Sequence, residues 1–169
     1  MKYGYTCQEY KFQKSDGYIL TTHRIRQSPK CKISHGKKVA YLQHGLLSSS
    51  IDWIIIGPDN GALGKKFLSE KKIKFPAYSI NMKFFTGYFL ADCCYDVWLG
   101  NFRGNFHSRN HNWHKPDSDE FWDFSWHEMG QYDLPDMIDF ILEKTKQDIL
   151  IHIGTTTFYV MCQFSKESA

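Results

Sequence analysis

The sequence predicts an α/β fold in which an antiparallel hairpin precedes parallel strands joined by crossover helices. Three observations carry that expectation. Lys38 to Leu47 is an apolar run that passes into a glycine loop at Gly45, and Tyr95 to Leu99 is a second run that stops at Gly100-Asn101. An amphipathic stretch beginning at Asp133 leads into a third run, Ile149 to Ile153, which is closed by Gly154. Strands that finish in glycine-containing loops and alternate with helices point to a parallel sheet with a site at its carboxyl edge.

Each element has a local reason. Tyr10-Lys11-Phe12 and Tyr18 to Ile25 alternate apolar and polar residues about Asp16-Gly17, a turn dipeptide that tolerates positive φ, and so predict a hairpin. The polar linker Gln27 to Lys37 separates it from the strand 39–43. Asp133 and Pro135 read as a helix start, because a carboxylate can cap the free N–H groups and proline lacks only a donor that the first turn does not use. Leu134, Met137, Ile138, Ile141 and Leu142 recur at helical spacing, with Lys144 and Lys146 near the negative end of the helix dipole.

Composition sets the bounds. A chain of 169 residues with 42% hydrophobic and 17% aromatic content can bury one core, so one domain, or a portion of a larger one, is expected over 1–169. No stretch approaches the roughly 18 consecutive apolar residues of a membrane span, and Met1 to Tyr5 lacks the apolar centre of a secretory signal. The five cysteines, Cys7, Cys31, Cys93, Cys94 and Cys162, show no Cys-x-x-Cys spacing, and we expect buried or free thiols. The net charge of +3 is unevenly placed: residues 65–87 carry six lysines against Glu70, so this segment is +5 and the remainder −2. Phenylalanines interleave these lysines, as in some nucleic-acid or anionic-lipid binding segments, but a solvated, unstructured insert is the simpler expectation.

Beyond these patterns the chain resembles the acid lipase family of α/β-hydrolases, the lysosomal and gastric type with its insect relatives. The residues that carry the resemblance include Asp16-Gly17-Tyr18-Ile19-Leu20, Leu42-Gln43-His44-Gly45-Leu46-Leu47 and Asp52-Trp53. They continue in Tyr95 to Asn101, Arg103-Gly104-Asn105, Ser108, Asp117 to Ser125 and Tyr132-Asp133-Leu134-Pro135. The resemblance implies hydrolysis of lipid carboxylic esters, triacylglycerols or sterol esters, by a serine nucleophile, a histidine base and an oxyanion hole. Leu46 matches the position whose backbone N–H binds the oxyanion, with His44 and Gly45 shaping that loop. We expect Gly45, lacking a Cβ, to give the tight turn that presents the donor.

Three departures bear on activity. No Gly-x-Ser-x-Gly occurs: where the family has Gly-His-Ser-Gln-Gly-Thr-Thr, Ile153-Gly154 runs directly into Thr155-Thr156-Thr157, so the nucleophile is absent between Ile153 and Thr155. Thr156, Ser165 and Ser168 lack the strained turn that would raise a hydroxyl toward a base. The sequence stops at Ala169, before any counterpart of the lid or of the loops bearing the acid and histidine, and His107, His111 and His114 read as surface loop residues. Residues 65–87 interrupt what the family builds as one helix, and the codons possible at Gly64-Lys65-Lys66 and Phe84 to Gly87 fit splice signals, as a retained short intron would. The expectation is a partial α/β-hydrolase core, inactive as written. The alternative is a non-catalytic lipid- or protein-binding remnant of the fold. No cofactor, metal or nucleic acid is expected, the oligomeric state is open, and the family implies a secreted or lysosomal protein although no signal is present.

Overall fold

The computed structural model describes residues 3–55, 57, 58 and 86–154. The expectations for residues 65–85, for Thr155 to Thr157, and for Cys162, Ser165 and Ser168 lie outside that range. The described residues form one mixed sheet of β1 (Thr6–Gln13), β2 (Tyr18–Gln27), β3 (Val39–Gln43), β4 (Asp96–Asn101), β5 (Asn110–His111) and β6 (Ile151–Gly154). Its order is β1-β2-β4-β3-β6, with the short β5 added to β2. The hairpin is antiparallel and longer than its alternation predicted, pairing Thr6 with Gln27 through Gln13 with Ile19. Gly17 sits in its turn at φ 94°, where a Cβ would be strained. β4 runs antiparallel to β2, whereas β3 is parallel to both β4 and β6.

Alternation divides the core between the two faces of this sheet. Val39 and Tyr41 of β3 and Trp98 of β4 join Met137 and Ile141 of α2 (Leu134–Thr145) on one side. Leu42, Val97 and Leu99 join Trp53 and Ala91 on the other, where α1 (Thr86–Asp92) packs. Every residue of β3 and β4 is buried, as befits central strands covered on both faces. Thr86 and Gly87, counted with the insert in the sequence, form the first turn of α1. A Cβ on Gly87 would come within 3.0 Å of the Trp53 carbonyl and of Ile54, so glycine permits this close approach.

Gly100, in β4, has a similar role. A Cβ there would lie under 3.0 Å from Gln43 Oε1, Tyr41 OH and Met137 Sδ, all in the core. Gly100→Ala is expected to cost about 1–3 kcal/mol through overpacking, measured as a lower urea midpoint with unchanged slope.

Two local expectations are corrected. Asp133 does not cap α2. It has helical φ and ψ and makes no capping hydrogen bond, because its carboxylate is buried against Arg103. The helical path begins eight residues earlier: Ser125 caps a single α-turn, Trp126–Glu128, in a capping box with Glu128, and a π-helical turn, Met129–Asp133, joins it to α2. Second, the thiols expected at positions 31 and 94 form a disulfide, with Cα atoms 5.3 Å apart across 63 residues of sequence. Cys7 and Cys93 are exposed and outside it. The spacing of cysteines along a chain does not reveal a bridge that the β2–β3 linker and the end of α1 make by folding together.

Candidate active site

The carboxyl ends of β3 and β4 lie side by side, so the loops that follow them meet. His44, the first residue after β3, is 3% exposed and its ring packs edge-on against Phe102, the first residue after β4. Its Nε2 faces the Phe102 N–H at 3.2 Å, and its Nδ1 lies 2.7 Å from the Gly45 carbonyl oxygen. Because a backbone N–H can only donate, Nε2 is the acceptor and Nδ1 carries the proton that goes to Gly45. Burial pushes the His44 pKa below the ordinary histidine range, only partly offset by that carbonyl, which keeps the ring neutral.

This bond also orients a peptide. In a trans peptide the C=O and the following N–H point in opposite directions, so holding the Gly45 oxygen toward the ring turns the Leu46 N–H away from it. Among the described residues the Leu46 N–H donates to no backbone carbonyl. The left-handed residue of the loop is Leu47, at φ 58°, and not Gly45, so the positive-φ turn comes two residues after the glycine. Leu47 is fully exposed and Leu46 about half exposed.

A cavity of about 620 Å³ opens beside the loop, within the range of small-molecule sites. Leu46, Leu47, Phe106, Trp122 and Phe124 give it apolar walls, and Arg109, stacked 5.0 Å from the Trp122 ring, lies among its polar groups. Asp52, another lining residue, accepts from Ser48. Arg103 at the cavity floor is held by Asp133 through its backbone N–H, Nε and Nη2 at 2.7–2.9 Å, and by Asp16 at 2.5 Å. Burial works against its charge, but the hydrogen bonds and charge of Asp133 outweigh this and push its pKa up. Sequence reasoning placed Asp133 at a helix start and Arg103-Gly104-Asn105 within a family-like segment, but gave none of Arg103, Asp133 or Asn105 a part in this architecture.

The three histidines beyond β4 do not converge as a base or a metal site. His107 is half-buried and stands edge-on to His23, 4.7 Å between ring centroids, and burial pushes its pKa down. His111 is in β5, where Nδ1 accepts the backbone N–H groups of Trp113 and His114, and Nε2 contacts the Asp16 carbonyl oxygen. They organise a loop from partly covered positions, where the sequence suggested surface residues. Among the described residues no group of three or more His, Cys, Asp or Glu could hold a metal ion, and no helix is long and apolar enough to cross a membrane.

A hairpin leading into a helix-covered parallel sheet, with a histidine-braced loop after a central strand, defines the class as a partial α/β-hydrolase core. Residues 1–57 match the family described as a partial alpha/beta-hydrolase lipase region. The chain is 43% identical to Lipase 1 of Drosophila melanogaster over 95% of its own length and 30% of that protein's. It is 40% identical to human gastric triacylglycerol lipase over 90% of its length and 32% of the relative, and 41% identical to lipase lipl-1 of Caenorhabditis elegans over 91% and 33%. Within the α/β-hydrolases the chain is therefore similar to lipases, gastric triacylglycerol lipase among them. It spans about a third of the length of the relatives it matches.

Proposed function

We propose that this chain carries the oxyanion-side portion of a site for lipid carboxylic esters, such as triacylglycerols or sterol esters, and that as written it binds such esters without turning them over. The observation that supports this most directly is the buried, neutral His44, which fixes the Gly45–Leu46 peptide beside an apolar-walled cavity. In acyl transfer the ester carbonyl oxygen becomes negative, and a preorganised N–H such as that of Leu46 stabilises it without reorganisation. Attack on the carbonyl needs a nucleophile, and no Gly-x-Ser-x-Gly occurs in the sequence. Lipid esters suit the apolar walls, and a secreted or lysosomal setting agrees with both the named relatives and the Cys31–Cys94 disulfide. Residues 65–85 belong to this proposal as an insert in the hydrolase sequence, whereas Thr86 and Gly87 open α1.

The test titrates the chain with a short-chain p-nitrophenyl ester while following its amide resonances and the release of p-nitrophenolate. The expected result is a saturable shift at Leu46 and its cavity neighbours, with no release above a heat-denatured control. Release above that control would overturn the inactivity. An unshifted Leu46 amide would remove the oxyanion role and leave the non-catalytic remnant, for which the bare Leu47 and the 83% exposed Phe106 offer an apolar surface.

A further inference from the structure

Asn105 lies against the unprotonated nitrogen of His44, and every hydrogen-bonding position of its amide is used. Its Oδ1 accepts the backbone N–H groups of His107 and Ser108, both at 2.9 Å. Two backbone donors fix that atom as oxygen, so the orientation of the amide is dictated and not a matter of choice. Nδ2 therefore faces the other way, with one hydrogen to Asn101 Oδ1 at 2.9 Å and the other to His44 Nε2 at 3.1 Å. Asn101 is pinned in the same manner: its Oδ1 also accepts the Ser50 N–H at 3.0 Å, and its Nδ2 donates to the Thr21 carbonyl at 3.1 Å. The direction of each bond thus follows from backbone groups at both ends of a chain linking β2, β4 and the loop after β3.

We propose that Asn105 is a positioning residue for the oxyanion loop: by donating to His44 Nε2 it keeps the proton on Nδ1, and Nδ1 holds the Gly45–Leu46 peptide. The inference rests on the reading of Leu46 as the oxyanion donor. Phe102 N–H donates to the same nitrogen at 3.2 Å, so Asn105 is the second of two donors to it. It is the one a substitution can change without touching the backbone. An aspartate at position 105 would keep one oxygen for the His107 and Ser108 N–H groups. Its other oxygen would face His44 Nε2, an acceptor against an acceptor, and the contact is restored only if Nε2 takes up a proton.

The experiment is nitrogen-15 NMR of the His44 ring in the whole chain near neutral pH, assigned against His44→Gln, for the parent, Asn105→Asp and Asn105→Ala. In the parent, Nε2 is expected in the unprotonated range and Nδ1 in the protonated range. Asn105→Asp should move Nε2 into the protonated range, Asn105→Ala should move it part of the way, and the Leu46 amide should shift in both. A parent His44 with its proton on Nε2 overturns the proposal even if neither variant folds. So does an unchanged ring and Leu46 amide in folded variants, which is the outcome of a purely structural asparagine. No ester is present, so failure here is separate from failure of Leu46 to sense an ester.

Discussion

An Asp133→Ala protein is expected to unfold about 3–5 kcal/mol more easily than the parent chain. The size follows from what the substitution leaves behind. The Arg103 side chain is 2% exposed and that of Asp133 is 0% exposed, so neither charge has bulk water to fall back on. Asp133 accepts three hydrogen bonds from Arg103, and after its removal the guanidinium retains, among the described residues, Asp16, itself about a third exposed, and the faces of Tyr18 and Phe124. A buried cation stripped of its main partner costs far more than the pair gained by forming. Replacing both residues, as in Arg103→Met with Asp133→Leu, should therefore restore most of the loss. By contrast, truncating Glu9 in its exposed pair with Lys11 should change stability by less than about 1 kcal/mol. Urea unfolding of the four proteins decides the matter. A loss under about 1 kcal/mol for Asp133→Ala would mean that water reaches Arg103 and that the pair is not the anchor its burial implies.

The consequence reaches the site because Arg103 follows Phe102 directly. The same short segment that Asp133 ties down supplies the N–H that faces His44, and Asn105 lies two residues further on. Loosening Arg103 should thus disturb the loop His44 to Leu47 before the sheet beneath it gives way.

How much of this was legible beforehand depended on range. The hairpin was readable because Asp16-Gly17 and the flanking alternation lie within a dozen residues of one another. β3, β4 and the body of α2 were readable because burial on both faces of a sheet imposes a continuous apolar run, and burial of one helix face a period, that the sequence must show; β6 carries such a run although it is an edge strand only partly buried. The start of α2 was misjudged for a physical reason. Asp133 before Pro135 has the form of a cap, but its carboxylate is more strongly bound by a guanidinium thirty positions away, a partner no local rule can see. The true cap was present in the sequence as Ser125 followed three residues later by Glu128, and that signal, applied alongside the proline, would have found it. Gly45 was credited with a turn that Leu47 makes, since a braced loop can hold a non-glycine residue in the left-handed region. The roles of Asn101 and Asn105 lie beyond pattern reading altogether, because they follow from which backbone N–H groups folding happens to aim at each amide.

The disulfide supplies the second large effect, and it acts on a different state of the chain. Removing it, with Cys31→Ala and Cys94→Ala together, is expected to cost about 4 kcal/mol, the chain-entropy value for closing a loop of 63 residues. The bridge ties the linker after β2 to the residue pair that follows α1, so the span it closes contains β3, the loop at His44 to Leu47 and the lysine-rich residues 65–83. Alkylation without reductant should label Cys7 and Cys93 and spare Cys31 and Cys94, and immediate labelling of Cys31 or Cys94 would contradict the bridge. The denaturant slope separates the two predictions. Losing Asp133 destabilises the native state through an uncompensated charge and should leave the slope as it is. Losing the bridge lets the unfolded chain expand and expose more surface, so the slope should rise as the midpoint falls. A midpoint that falls without a steeper slope would assign the effect to the native packing around Cys31 and Cys94 and not to the freedom of the unfolded chain.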